Sequence, residues 1–238
     1  MILQVKNLLK SFGGLVAIKN LDFTVSEGEI VGLIGPNGSG KTTLFNLISG
    51  FLKPDDGRIW FNDSDITGLK PYRICRSGIA RTFQLTKPFG GMTALQNVIV
   101  GRMYGGEQGG SVRQVEEECE KILEFVGLGG RGLLLASSFN IVDRKRLEIA
   151  RALATKPKLL LLDEMMSGLT HTEMEEALQL VRAIGHSGIT LIVVEHVMKA
   201  ILDVSSRLVV LNHGEKIAEG KPQEVVRNEK VIEAYLGD

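Results

Sequence analysis

The chain has 238 residues, with 28 lysines and arginines against 28 aspartates and glutamates, so its formal net charge is zero. A chain of this length can bury a sizeable core and form one large or two small domains. Zero net charge disfavours a general binder of nucleic acid or anionic membranes, and an aromatic content of 5% disfavours a base-stacking surface. We therefore expect no nucleic-acid partner.

Cysteine usage and apolar stretches set the expected compartment. Cys75 and Cys119 lack the spacing of metal ligands and are too few for a disulfide framework, so a reducing cytoplasm is expected. Met1 leads into a strand-like segment without the apolar stretch of a signal peptide. The longest stretch without charged residues, 88–101, is too short and too rich in glycine to span a bilayer. Any membrane association is therefore expected to go through a partner.

The N-terminal region is predicted to begin with two strands. They cover residues 2–9 and 17–25, with Gly13 and Gly14 in the turn between them. Phe12 stands at that turn, and two interpretations of it stay open. It is either a turn aromatic that caps the core or a face on which an adenine stacks.

A glycine-rich loop follows the next apolar strand. The strand is predicted over 29–34 and a helix over 41–49. The spacing from Gly35 to Lys41-Thr42 matches G-x-x-x-x-G-K-[ST], a P-loop whose backbone N–H groups and helix N-terminus bind a polyphosphate. Lys41 is predicted to reach the β- and γ-phosphates, and the Thr42 hydroxyl to ligate Mg²⁺. An ordinary glycine-rich turn is disfavoured because strand, loop, Lys-Thr and apolar helix occur in that order. The predicted nucleotide-binding residues are Gly35, Pro36, Asn37, Gly38, Ser39, Gly40, Lys41, Thr42 and Thr43.

The middle of the chain changes character after residue 84. Before it we predict a strand over 58–61, a short helix over 72–76 and a strand over 79–84 that ends at the polar Gln84. After it, dense glycines and helices over 94–100, 111–126 and 143–154 indicate an inserted helical subdomain. The acidic run 116–118 is interpreted as a solvated helix face rather than as a metal site.

The last third returns to alternating strands and helices. Strands over 158–163 and 189–195 are continuously apolar, which indicates burial on both faces in a parallel sheet. A helix over 172–184 can be capped by Thr170 or Thr172. The remaining elements are a helix over 197–204, a hairpin of strands 207–211 and 215–218, and short helices over 222–227 and 230–236. The predicted fold class is α/β with a mostly parallel core sheet.

Polar side chains stand where the predicted strands end, which is where ligands bind in parallel α/β sheets. Asp163 can hold Mg²⁺ directly or through water, and the adjacent Glu164 can orient an attacking water. His196 can donate to a γ-phosphate oxygen or to that water, although a lone histidine is usually structural. Gln84 could sense water or metal, but alone it is a weak signal. Their coincidence with Gly35 at strand ends favours one shared site.

The chain resembles the ATP-binding subunit of ABC transporters over nearly its whole length, through residues 35–43, Gln84, 146–153, 159–164 and His196. Segments 11–17, 81–84 and 234–237 look like the branched-chain amino acid importer branch. The resemblance implies a P-loop NTPase fold, that of one ABC ATPase domain over 1–238. Its α/β core with an N-terminal antiparallel β subdomain would cover 1–84 and 158–238, and the helical subdomain about 85–157. The implied assignments are Phe12 in the adenine-stacking A-loop, residues 35–43 as Walker A, Gln84 as Q-loop, Asp163 as Walker B aspartate, Glu164 as catalytic glutamate and His196 as H-loop switch.

The resemblance also implies cofactors, partners and location. Such subunits bind ATP and Mg²⁺, close as head-to-tail dimers around two ATP molecules, and drive polytopic membrane permease subunits. We therefore expect a second ATP-binding subunit as a partner. The coupling helices of the permease are expected to dock near residues 84–100. The chain is then expected in the cytoplasm, at the inner face of the cell membrane. The implied activity is ATP-driven import of branched-chain amino acids or similar small solutes. The alternative is an ABC-type ATPase with a non-import role, such as lipid extraction or an assembly machine. A DNA-repair or chromosome ABC ATPase is disfavoured because no long coiled coil or zinc module separates the Walker motifs.

The chain departs from the family pattern in three places, namely the signature segment, the residue after Glu164 and the D-loop. Where the family has L-S-G-G-Q, this chain has Asn140 for the serine, Val142 for a glycine, and Asp143, whose charge would repel the γ-phosphate of the opposite subunit. Met165 replaces a proline, and Thr170 stands where the D-loop has Asp or Asn. Because the signature loop serves the partner's ATP, we expect an asymmetric heterodimer. This chain supplies a competent half-site, a paralogue with an intact signature completes it, and the reciprocal site hydrolyses ATP poorly.

Overall fold

A computed structural model describes residues 1–83, 87–106 and 109–236. Within these ranges the strands are β1 (Leu3–Phe12), β2 (Leu15–Val25), β3 (Ile30–Ile34), β4 (Asp56–Phe61), β5 (Ser64–Asp65), β6 (Ile79–Arg81), β7 (Leu159–Asp163), β8 (Thr190–Val194), β9 (Arg207–Asn212) and β10 (Glu215–Gly220). The α-helices are α1 (Lys41–Ile48), α2 (Pro71–Ser77), α3 (Ala94–Tyr104), α4 (Val112–Phe125), α5 (Ile141–Ala154), α6 (His171–His186), α7 (Met198–Val204), α8 (Pro222–Val225) and α9 (Glu229–Leu236). Gln84, a predicted site residue, lies outside the described residues.

The core is a six-stranded sheet in the order β10-β9-β3-β8-β7-β6. The strands from β9 to β6 run parallel, and β10 pairs antiparallel with β9. Every residue of β7 and β8 is buried, as their unbroken apolar sequences predict. The mostly parallel α/β fold is confirmed, and the carboxyl ends of β3, β6, β7 and β8 meet at one edge of the sheet.

Alternate residues of β7 face two different hydrophobic cores. Leu159 and Leu161 pack with α1 and with a second, antiparallel sheet of order β2-β1-β4-β5. Leu160 and Leu162 face the opposite way, into the core that α5 and α6 cover. The antiparallel β subdomain predicted at the N-terminus is therefore present, and it packs on α1 through residues such as Phe45.

The helices α3, α4 and α5 lie between β6 and β7 in the sequence and pack against one another. Capping boxes at Thr93 and Ser111 begin α3 and α4. α3 runs to Tyr104, beyond the predicted end at residue 100, and Arg102 in the added turn pairs with Glu118 of α4 at 2.8 Å. Glu117 pairs with Arg113 at 2.9 Å on the same helix, and Glu116 and Glu117 are exposed as predicted.

The strand predicted over 79–84 ends at Arg81. Beyond it, the Thr82 N–H still donates to the Leu161 carbonyl of β7 at 2.9 Å, and the Phe83 N–H donates to the Glu148 side chain at 2.6 Å. At the N-terminus, β1 and β2 reach the turn itself, where Phe12 pairs with Leu15 across Gly13 and Gly14. None of the described helices combines the length and the apolar character needed to cross a bilayer.

Candidate active site

The glycine loop between β3 and α1 has a backbone that side chains would disrupt. Gly35 has φ 150° and Gly40 has φ 107°, both in the region that favours glycine. A Cβ at Gly35 would lie 2.1 Å from the Leu211 carbonyl oxygen, and one at Gly40 would lie 2.7 Å from that of Ala17. The loop therefore packs directly against the β9–β10 hairpin and β2, and only glycine fits at these two positions.

The Lys41 ammonium is held inside the loop. It is buried and donates to the carbonyl oxygens of Gly35 at 2.7 Å and Pro36 at 3.0 Å. Burial lowers the pKa of Lys41, while the carboxylates of Glu164 and Asp163 oppose that shift. Because the loop carbonyl oxygens already hold this ammonium group in place, it is suited to bind an anionic ligand.

The first turn of α1 is also suited to an anion. Its N-cap is Gly40, so no side chain caps the helix, and Thr42 is exposed in that turn. Of the other predicted loop residues, Asn37 and Gly38 are exposed and Ser39 is buried. Uncapped N–H groups and an exposed hydroxyl can meet phosphate oxygens and a hard cation.

Asp163 ends β7 and is only 4% exposed. Its Oδ2 accepts a hydrogen bond from Arg81 Nη2 at 2.8 Å, and Arg81 also donates to Asn46 of α1 at 2.6 Å. The strand-end position of Asp163 predicted a cation for this carboxylate, but no sequence signal pointed to Arg81 on the neighbouring strand β6. One oxygen of Asp163 is thus engaged in an ion pair before any metal is considered.

Glu164 and His196, predicted from separate strand ends, contact each other. Glu164 Oε1 lies 2.7 Å from His196 Nε2. The Glu164 backbone is in the left-handed region with φ 49°, and its N–H donates to the Val194 carbonyl at 2.9 Å. That turn directs the carboxylate away from Asp163 and toward the end of β8. The two adjacent carboxylates therefore have different partners, which fits the different tasks predicted for them.

Phe12 lies at the tip of the β1–β2 hairpin with 46% of its surface exposed. Exposure to this degree disfavours the interpretation that it caps the core. The same hairpin carries Ala17, whose carbonyl lies against Gly40, and Lys19, whose N–H donates to the Gly214 carbonyl at 2.9 Å. The hairpin is thus anchored beside the glycine loop.

Comparison with known proteins identifies the family. A family profile described as "ABC transporter" matches residues 18–167, and one described as "Branched-chain amino acid ATP-binding cassette transporter" matches residues 215–238. The chain belongs to the ABC transporter family. It is 38% identical over 250 residues to the high-affinity branched-chain amino acid transport ATP-binding protein LivG of Salmonella typhimurium, covering 100% of this chain and 98% of that protein. The probable branched-chain amino acid transport ATP-binding protein LivG of Archaeoglobus fulgidus is 38% identical in an alignment of 249 positions that covers 99% of this chain and 95% of that protein.

Solved ATP-binding cassettes have the same fold. The ADP conformation of one cassette superposes with a TM-score of 0.90 at 35% identity, and a nucleotide-free cassette with 0.90 at 34%. Each match covers 100% of this chain and 99% of the other. The resemblance to the ABC ATP-binding subunit, in its branched-chain importer branch, is confirmed, and this ABC protein binds and hydrolyses ATP.

The segment predicted to be the divergent ABC signature is held by local polar contacts. Asn140 is the N-cap of α5, and its Oδ1 accepts from the Asp143 N–H at 2.8 Å. The Asp143 carboxylate is nearly buried, and its Oδ2 accepts from Arg131 Nη1 at 2.7 Å. The predicted repulsion of a phosphate is therefore offset by a neighbouring guanidinium that the sequence analysis did not identify.

Behind the signature segment, a buried lysine joins α5 to the chain that follows Glu164. Lys145 Nζ donates to the carbonyl oxygens of Met165 at 2.8 Å and Ser167 at 2.6 Å. Glu195 Oε1 accepts from the Met166 N–H at 2.8 Å, and burial raises the pKa of Glu195 to about 7. Sequence reasoning missed both side chains, although Glu195 at the end of an apolar strand was a visible signal.

The D-loop departure also has a local explanation. Thr170 is the N-cap of α6, where its hydroxyl accepts from the Glu173 N–H and the Glu173 carboxylate accepts from the Thr170 N–H at 2.7 Å. This capping box confirms Thr170, rather than Thr172, as the cap.

Proposed function

We propose that this ABC protein is the subunit that energises import of branched-chain amino acids or similar small solutes. The observation that carries the proposal is the Glu164–His196 pair, 2.7 Å apart, at the same sheet edge as the glycine loop and Asp163. Full-length similarity to branched-chain amino acid transport ATP-binding proteins supports the solute class. The chain is proposed to act as one ABC ATPase domain over residues 1–238, with 85–157 as its helical subdomain.

Each site residue has a proposed task. Lys41 and the loop N–H groups bind the β- and γ-phosphates, and Phe12 stacks on the adenine. Glu164 orients the attacking water, and His196 holds that carboxylate in place. The glycines at 35 and 40 let the loop backbone pack against Leu211 and Ala17 in the shape that we propose binds the phosphates.

The residues fit Mg²⁺ as a bound cofactor. Thr42 and Asp163 offer hard oxygen ligands, and Gln84 is proposed as a third contact. Within the described residues no cluster of three or more His, Cys, Asp or Glu side chains could hold a metal, and phosphate oxygens and water are proposed to complete the coordination. When bound, Mg²⁺ neutralises charge on the transferred phosphoryl group.

A pair of variants tests the catalytic assignment. Glu164→Gln keeps the size of the side chain but cannot act as a carboxylate, so ATP turnover should fall at least about 100-fold while ATP still binds. Glu120→Gln, at an exposed position of α4, is the matched control. Turnover of Glu164→Gln within about threefold of wild type would overturn the assignment.

Permease docking is proposed at a cleft between α2 and α3. The cleft holds a cavity of about 330 Å³ with exposed aromatic side chains at Phe51, Tyr72, Phe83, Phe89 and Tyr104. Exposed aromatics around a hollow fit the apolar face of a partner helix, here the coupling helix of a polytopic permease. This contact would place the chain at the inner face of the cell membrane.

Co-expression with candidate permease subunits tests the docking. Tyr104→Glu should reduce co-purification with the permease, while Val112→Glu, exposed on α4 outside the cleft, should not. Stimulation of ATP turnover by an amino acid in the assembled complex supports import. Stimulation by lipid instead would favour the alternative of lipid extraction.

We further propose an asymmetric heterodimer. Val142 and Ile141 occupy signature positions where the family has glycine, and Ile141 is exposed at the start of α5. A paralogue with an intact signature would complete this chain's site, whereas this chain's signature would serve the paralogue's ATP poorly. ATP turnover should therefore be low for the chain alone and rise on mixing with the paralogue. Full, cooperative turnover by the chain alone would contradict the asymmetry.

A further inference from the structure

The C-terminal helix contacts the glycine loop through one hydroxyl group. Tyr235 lies in α9, and its Oη accepts a hydrogen bond from the Gly35 N–H at 2.8 Å, across 200 residues of sequence. Burial of the hydroxyl end raises the pKa of Tyr235, although 42% of the residue's surface is exposed. The segment 234–237 was recognised in the sequence, but no task was assigned to it.

The Gly35 peptide groups are held on both sides. Its N–H is bound by Tyr235, and its carbonyl oxygen accepts from the Lys41 ammonium at 2.7 Å. The far end of the loop is fixed separately, where the Gly214 N–H donates to the Ser39 carbonyl at 3.0 Å. Removing the Tyr235 contact would therefore loosen the loop at its beginning and leave its end attached.

Tyr235 is also where α9 and the loop come together. A cavity of about 510 Å³ separates loop residues 36–39 from the side of α9 that carries Lys230 and Glu233. The hydrogen bond from the Gly35 N–H to Tyr235 Oη joins α9 to the loop. A change in the loop's shape would thus reach the helix through this bond.

We propose that Tyr235 is a positioning residue that holds the beginning of the phosphate-binding loop in its nucleotide-binding shape and couples α9 to nucleotide occupancy. The inference rests on the proposed assignment of residues 35–43 to the phosphates. Preorganisation of this kind acts on affinity, because a loop that is already shaped loses less entropy on binding. Coupling free energies are reciprocal, so a helix that supports nucleotide binding must itself be stabilised by nucleotide.

The experiment measures binding and helix protection in the full chain. In Tyr235→Phe the ring stays and the acceptor is lost, so the dissociation constant for Mg-ATP and the KM should rise about two- to tenfold, the range expected for one hydrogen bond, with kcat kept. Glu229→Gln, exposed at the start of α9, is the control and should bind as wild type does. Unchanged affinity in Tyr235→Phe would overturn the proposal.

Hydrogen exchange gives a second readout that needs only the wild-type protein. Amides of residues 229–236 should exchange more slowly when nucleotide is added, and this slowing should be smaller in Tyr235→Phe. Exchange rates of these amides that are the same with and without nucleotide in the wild type would refute the coupling. An ATP affinity in Lys41→Ala equal to that of the wild type would instead refute the assignment of the loop to the phosphates. The failure of the coupling and the failure of the proposed function are therefore distinguishable.

Discussion

Replacing Lys145 with methionine removes the buried ammonium that joins α5 to the segment after Glu164. Methionine has a similar length but no donor, so the carbonyl oxygens of Met165 and Ser167 lose their bonds of 2.8 and 2.6 Å. Lys145 is only 7% exposed, so water cannot easily replace it. The variant should be less stable and should position Glu164 less well.

The magnitude follows from two opposing contributions. Each buried carbonyl left without a donor costs about 1–3 kcal/mol, or about 2–6 kcal/mol for the two. In the opposite direction, the wild type bears the cost of burying the charged Lys145, as the lowering of its pKa by burial indicates. The methionine variant no longer bears that cost. We expect a net loss of about 2–4 kcal/mol in the free energy of unfolding.

Urea denaturation followed by circular dichroism measures this loss. A midpoint lower by about 1 M is expected for Lys145→Met, since slopes are about 1–3 kcal/mol per M. Lys121→Met, exposed on α4, makes the same chemical change without buried partners and should shift the midpoint little. A Lys145→Met midpoint equal to that of the control would refute the reasoning.

Three further predictions concern buried charge and a helix cap. Burial raises the pKa of Glu148 from its usual 4.5 to about 7. Between these two pH values the Glu148 carboxyl group stays protonated in the folded chain and is ionised in the unfolded chain. Stability is therefore lost as pH rises from about 4.5 to 7, and Glu148→Gln should gain up to about 3 kcal/mol relative to wild type between pH 5 and 8 in urea titrations. Arg81→Met leaves Asp163 buried without its cation and should lower the unfolding free energy by about 3–5 kcal/mol at pH 7. Thr170→Ala removes the α6 cap and should cost about 1 kcal/mol by the same assay, whereas a neutral effect would contradict the capping box.

The parts of the fold that could be predicted from sequence are those with local physical causes. The buried strands β7 and β8 were predicted from their unbroken runs of apolar residues. The loop at Gly35 was predicted from the spacing of its glycines and of Lys41. The hairpin of β9 and β10 follows from His213 and Gly214, both with positive φ in its turn. Each of these signals is contained within about ten residues.

The side-chain pairs of the site could not be predicted, because their partners are distant in sequence. Arg81 lies 82 residues from Asp163, and Lys145 lies 22 residues from Ser167. Such pairs form only after the sheet order and the packing of α5 are set, so no local pattern marks them. The strand-end position of Asp163 indicated that a cation was needed, but the chain itself supplies one in Arg81.

The same pairs change the physical basis of the proposed asymmetry. Asp143 first suggested that charge would keep the signature segment from serving a partner's ATP, yet its carboxylate is already paired with Arg131 at 2.7 Å. The side chains of Ile141 and Val142 remain at positions where the family has glycine, and bulk there is not compensated by any ion pair. Close approach of a phosphate to a helix N-terminus needs backbone that is sterically open. In the proposed heterodimer, we therefore attribute the weak reciprocal site to the shape of the first turn of α5 rather than to its charge.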